Sequence, residues 1–171
     1  MTTITITKSK DAIVSKPPAK PSAGHRRLDV WLGEWNTQGQ QYEGPVGPAA
    51  KITATDTFEW ATGEFFMVHR FEGKVGDSDA SCIEIIGYDS EIKSYPTHTY
   101  YNTGLTNDWQ SHESDGTWTL TGDWDMAGKK AKARCTTLFS HDGNTMTGKW
   151  EMSIEGGTWQ TFWDTKGTKA K

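Results

Sequence analysis

The 171-residue chain has five histidines, and three of them, His69, His98 and His112, lie in segments with strand-like alternation. Imidazole titrates close to neutral pH, so each is a candidate acid, base or ligand. His98 stands two residues before Tyr100, and on a strand residues i and i+2 share a face. Two polar-tipped rings aimed at one space can orient a ligand's polar group. They can also act as base and acid where a reaction needs shape and one proton transfer. His69 is the third polar candidate. A zinc centre would show close-spaced ligand pairs, such as i and i+4 on a helix or i and i+2 on a strand. The histidines offer none, so no metal is expected. There is no Gly-x-Ser-x-Gly elbow, and the glycine pairs sit in strand turns and not ahead of helices. Acyl transfer and dinucleotide binding are therefore not indicated, and no cofactor is expected. The paired carboxylates, Asp77 with Asp79 and Asp123 with Asp125, read as turn or solvent-face residues.

A sheet must position these groups. The chain has 24 Thr, 18 Gly and 9 Trp but only 5 Leu, a composition that favours strands over helices. From Gly33 onward the pattern has period two. The candidate strands are Glu34–Tyr42, Ile52–Trp60, Glu64–Val75, Ser81–Tyr88, Ser94–Asn102, Trp109–Glu113, Thr117–Met126, Lys130–Ser140, Thr145–Ile154 and Thr158–Thr165. Turn residues such as Asp89-Ser90, Asp115-Gly116 and Asp142-Gly143-Asn144 separate most of them. An antiparallel meander of that length leaves two open edges unless it closes. The expected fold is all-β, a closed up-and-down barrel of about ten strands. His25–Leu32 reads as a short helix stopped by Gly33, with Leu28, Trp31 and Leu32 on one face to plug one end. Residues 1–24, with Pro17, Pro18 and Pro21, read as a mobile tail ahead of a barrel domain at 25–171.

Parity then nominates an interior. Trp118, Leu120, Gly122 and Trp124 alternate with threonines and Asp123. Ala131, Ala133 and Cys135 alternate with Lys130, Lys132 and Arg134, and Met146, Gly148, Trp150 and Met152 with Thr147, Lys149 and Glu151. Large rings beside small residues either fill a barrel or line a pocket in it. Trp118, Trp124, Trp150 and Met152 are the expected apolar walls, with His69, His98 and Tyr100 as polar contacts. Glu64–Val75 and Ser94–Asn102 carry apolar residues on both faces. One face would line the cavity and the other would meet the tail or a partner subunit, so a homodimer is a further expectation.

Charge narrows the partners. Residues 1–27 carry a net +5 and residues 28–171 a net −9. An acidic body argues against nucleic acid, which requires a basic face. No apolar run is long enough for a membrane span, and no secretory signal pattern opens the chain. A cytoplasmic protein is expected. Cys82 and Cys135 read as buried free thiols.

Several strings resemble a known family. Leu28-Asp29-Val30-Trp31-Leu32-Gly33-Glu34-Trp35 resembles the Leu-x-x-Leu-x-Gly-x-Trp opening of lipocalin-like, calycin-type barrels. Gly63-Glu64-Phe65-Phe66 through Phe71-Glu72-Gly73, Ile85-Ile86-Gly87-Tyr88-Asp89 and Thr147-Gly148-Lys149-Trp150-Glu151 resemble the bacterial domain-of-unknown-function family 1579. The resemblance spans roughly residues 25–165. It implies a ten-stranded barrel with a central cavity and no established activity. A more distant similarity to nitrobindin haem barrels rests on Gly39, Tyr42, Gly44 and Pro45. It implies a proximal histidine at His69 or His98.

Three functions follow as expectations. The first is a barrel binding a small apolar or aromatic molecule. The second is an isomerase or cyclase acting on a secondary metabolite in the same cavity, with His98 as base and Tyr100 as acid. The third is a haem barrel.

Overall fold

A computed structural model of the chain describes residues 20–126 and 128–171. Ten strands follow one another: β1 (Gly33–Gln41), β2 (Ala50–Trp60), β3 (Met67–Val75), β4 (Ser78–Ile86), β5 (Tyr95–Tyr101), β6 (Thr106–Ser114), β7 (Thr117–Met126), β8 (Lys129–Phe139), β9 (Thr145–Ile154) and β10 (Gln160–Lys169). Each pairs antiparallel with its sequence neighbour, and β10 returns to pair with β1, from Gln41↔Trp163 to Trp35↔Lys169. The barrel is closed and up-and-down, so the sheet leaves no open edge.

The plug is shorter and tighter than an eight-residue α-helix. One helical turn, α1 (Ala23–Arg26), runs into a 3-10 segment at Arg27–Trp31. Leu28 is fully buried against Trp35, Phe58, Met67, Ile86, Tyr95, Trp118 and Met146. Trp31 packs its ring on Phe58, Trp118 and Phe139. Its carbonyl accepts the Trp35 indole N–H at 2.7 Å. The Gly24 carbonyl accepts the Tyr95 hydroxyl at 3.0 Å, so Ala23 and Gly24 belong to the plug. The tail expected over residues 1–24 otherwise lies mostly outside the described residues.

Two strand limits differ from the alternation for local reasons. Glu64–Phe66 are not part of β3. Ala61 N–H bonds the Phe66 carbonyl and Glu64 N–H bonds the Ala61 carbonyl, closing a turn in which Glu64 has φ 58°. In β10, Thr161 pairs Glu151 and Trp163 pairs Trp150, leaving Phe162 as the extra residue of a bulge.

The inner face has three layers. The plugged end is the apolar cluster around Leu28 and Trp35. The open end is a second cluster of Ala131, Met152 and Phe162 with Trp124, Met126, Trp150, Ile154 and Trp163 around it. Between them run the buried polar side chains Thr37, Asp56, His69, Thr97, Thr99 and Thr137. On β7, β8 and β9 the inward sets match the parity expected from sequence.

Candidate functional site: a histidine between two carboxylates

The middle layer is built by register. Asp56 on β2, His69 on β3, Glu84 on β4 and Thr99 on β5 occupy neighbouring inward positions, with His69↔Glu84↔Thr99 directly paired. Directly paired residues of an antiparallel sheet share a face. Their side chains therefore meet although 15 residues separate each from the next. His69 bridges Asp56 through Nε2 at 2.8 Å and Glu84 through Nδ1 at 2.7 Å. The Thr99 hydroxyl donates to Glu84 at 2.7 Å, and the Thr37 hydroxyl donates to the other oxygen of Asp56. The Phe58 ring stacks flat on the imidazole, with centroids 4.0 Å apart and planes 2° from parallel. Thus every polar atom of the histidine has a partner, as a buried ionisable cluster requires.

Both carboxylates accept, so each ring nitrogen holds a proton and His69 is an imidazolium. Burial alone would lower its pKa, but the hydrogen bonds it donates to Asp56 and Glu84 outweigh this and raise the value to about 9. Burial pushes the Glu84 carboxyl up, and the bond to His69 more than reverses this, leaving it below the ordinary range. Cys82 and Tyr101 stand toward the open end beside Glu84. Burial, with that negative charge, pushes both upward, so they are neutral at pH 7. Cys135 is likewise raised by burial, to about 12.

The arrangement is not sealed. The side chains of Asp56, His69 and Glu84 retain 8%, 11% and 16% of their surface, though all three point inward. Toward the open end, Trp109 packs edge-on to Trp124 and Trp150, and Phe162 lies against both of the latter. Trp109 lies over Gly122, where a β-carbon would come within 2.5 Å of the indole. A hollow of about 250 Å³ opens at the rim beneath the β1–β2 and β9–β10 loops, bounded by Pro45, Met152, Ile154 and Phe162.

The sequence-nominated residues are divided by this geometry. His69 is central. Trp124, Trp150 and Met152 lie in the open-end cluster. Trp118 lies in the plugged-end cluster, against Trp31 and Tyr95, so the three tryptophans do not wall one space. His98 and Tyr100 are corrected outright: they face outward, Tyr100 is 53% exposed, and His98 bonds Asp108 on the surface at 2.6 Å. The inward set of β5 is Tyr95, Thr97 and Thr99, because their partners Ile86 and Glu84 face the interior. His112 also points outward. The base-and-acid pair expected from His98 and Tyr100 is therefore absent from the interior. A haem does not fit the histidines either: both nitrogens of His69 are engaged by carboxylates, and His98 lies outside the barrel.

Asp56, Glu84, Trp109 and Phe162 were not foreseen. The first two had a signal. Asp56 shares parity with Ile52 and Phe58, and Glu84 with Cys82 and Ile86. A charge in an otherwise apolar inward row is a polar contact in search of its partner.

Comparison with known proteins agrees with the fold. Residues 20–169 match the family described as protein of unknown function DUF1579. The chain belongs to this family. The crystal structure of Rv2717c from M. tuberculosis superposes with a TM-score of 0.63 at 11% identity, covering 88% of this chain and 99% of that one. The S-type phycobiliprotein lyase CPES from Guillardia theta gives a TM-score of 0.57 at 12% identity, covering 87% and 96%. These similarities show the barrel. No curated protein matches. Among the described residues, no helix is long and apolar enough to cross a membrane, and no group of three or more His, Cys, Asp or Glu is placed to hold a metal ion.

Proposed function

We propose that the barrel binds a small molecule with an apolar or aromatic body in its open half. The observation that carries this is the layered interior: a charged, partly accessible floor at Asp56, His69 and Glu84 beneath rings at Trp109, Trp124, Trp150 and Phe162. A protein that needed only a packed core would gain nothing from ionised groups at its centre, since apolar side chains fill such a layer at lower desolvation cost. A solvent-reachable polar floor under apolar walls is the usual construction of a small-molecule site. A barrel of this shape also occurs in a protein named an S-type phycobiliprotein lyase, which supports the reading by fold alone.

His69 has no free lone pair, so a proton-abstracting role at this floor has no base in this state. Binding is thus better supported than isomerisation or cyclisation. Cys82 and Cys135 are free thiols, which fits the reducing cytoplasm we assign to the protein.

Titration of tryptophan fluorescence with fatty acids, flavonoids, haem and an arylmethylamine tests the reading. Saturable quenching by a member of the apolar or aromatic set, lost in Trp150→Ala, is the expected result. No response across the panel overturns it.

A further inference from the structure

We propose that the ligand of this chamber carries a cationic nitrogen, a protonated or quaternary amine on an aromatic or apolar body. This rests on the binding reading above and goes further, because it fixes the sign of the ligand's charge.

The first argument is a proton count. Asp56, His69 and Glu84 share two short contacts, Nε2 to Asp56 and Nδ1 to Glu84, and each contact contains one proton. Wherever along a contact that proton sits, two carboxylates and one imidazole with two protons sum to −1. The floor is therefore a net anion. The threonine hydroxyls of Thr37 and Thr99 solvate it but carry no charge.

The second argument is what faces it. Cys82 on β4 and Tyr101 on β5 are neutral at pH 7. Phe58 covers one imidazole face. Glu113 on β6, further toward the plug, is already paired with Arg27. Among the described residues, the inward positions of the middle layer hold no lysine or arginine, and at the open rim only Lys129, opposite Met126 and exposed, shares the inward parity. Among the described residues of the middle layer, no side chain supplies the missing positive charge.

The third argument is the wall. Indole and phenyl rings present negative faces, and they attract ammonium groups most strongly when water is excluded. Trp109, Trp124, Trp150 and Phe162 gather such rings in the open half of the barrel, on the side of the floor away from the plug. The net −9 over residues 28–171 would also raise the local concentration of cations at the mouth. An anionic ligand meets repulsion at both stages, and a neutral one leaves the floor uncompensated.

Three matched probes decide the matter: 2-naphthylmethylamine, 2-naphthalenemethanol and 2-naphthoate, titrated calorimetrically into the full chain at pH 7 and low salt. The amine should bind at least about tenfold more tightly than the alcohol, and the naphthoate more weakly than the alcohol. In Glu84→Gln, which removes one of the floor's two carboxylates, the amine's advantage should fall below tenfold. The ranking in the unaltered protein carries the test if that variant does not fold. An amine-to-alcohol ratio below ten in the unaltered protein overturns the cationic assignment while leaving the chamber in place. Absence of binding by all three overturns both.

Discussion

His69 and His98 bond a carboxylate through the same ring atom, Nδ1 to Glu84 at 2.7 Å and Nδ1 to Asp108 at 2.6 Å. Each partner lies on a neighbouring strand. The pairs differ in where the side chains point. The His69 side chain is 11% exposed and meets a second carboxylate; that of His98 is 56% exposed, and its partner is more exposed still. Bulk water screens the outer pair, and its net worth is near zero. Within the barrel the same contact holds the buried Glu84 carboxyl below its ordinary range. The identity of a side-chain pair therefore says little until its face of the sheet is known.

The largest test of that contrast is His69→Leu. It leaves Asp56 and Glu84 facing each other without a proton between them, and should cost about 3–5 kcal/mol in denaturant unfolding. A cost below 1 kcal/mol would show that the inner pair behaves like the outer one.

A pH series sharpens it. The pKa of His69 is raised from its ordinary 6.5 to about 9. Its contribution is fully present below pH 6.5 and is lost as pH rises through 9. At 1.36 kcal/mol per unit that loss is about 3 kcal/mol. Glu84 is lowered from 4.5, so its contribution is present above pH 4.5 and is lost as pH falls through its folded value. Stability from the cluster should therefore peak between pH 4.5 and 6.5, and the alkaline loss should vanish in His69→Leu. A denaturation midpoint that stays flat from pH 6 to 10 would contradict the imidazolium.

On β7 the same inside–outside contrast applies where no charge is buried. Gly122→Ala places a methyl against the Trp109 ring, and should cost about 1–3 kcal/mol and shift the tryptophan emission. Asp123→Ser, on the outer face with only a loose contact to Lys132 at 3.5 Å, should stay within about 0.5 kcal/mol. The smallest effect is expected for His98→Gln. Its stability and its affinity for any chamber ligand should match the parent within about 0.5 kcal/mol, by unfolding and calorimetry. A tenfold affinity loss there would return His98 to the site.

The barrel was legible in sequence because alternation and turn chemistry act locally. Thr117–Met126 and Thr145–Ile154 have one apolar and one polar parity, and their limits match the strands. Tyr95–Tyr101 has rings on both parities, so its phase depends on register with Ile86 and Glu84 across the sheet. No local signal carries that information. The floor was hidden for the same reason: Asp56, His69 and Glu84 are adjacent only after three strands align. The split of the tryptophans between two ends followed from direction. Trp118 and Trp124 share a face but lie six residues apart along β7, which at roughly 3.4 Å per residue is most of the height of the barrel.

The Phe162 bulge has its own consequence. A period-two strand can be read in two phases, and this chain changes phase once within β10. Phe162 and Trp163 are consecutive, yet Phe162 is buried among the open-end rings while Trp163 pairs with inward-facing Trp150 and gives its indole N–H to inward-facing Gln41. Past that slip the odd-numbered residues Thr165 and Gly167 face Gly148 and Met146, and Gly167 leaves room for the Met146 side chain. Deleting a single residue there would have to undo the slip or turn the seam with β1 inside out, bringing Lys166 against the interior. The seam that closes the cylinder is thus where the length of the chain is least negotiable.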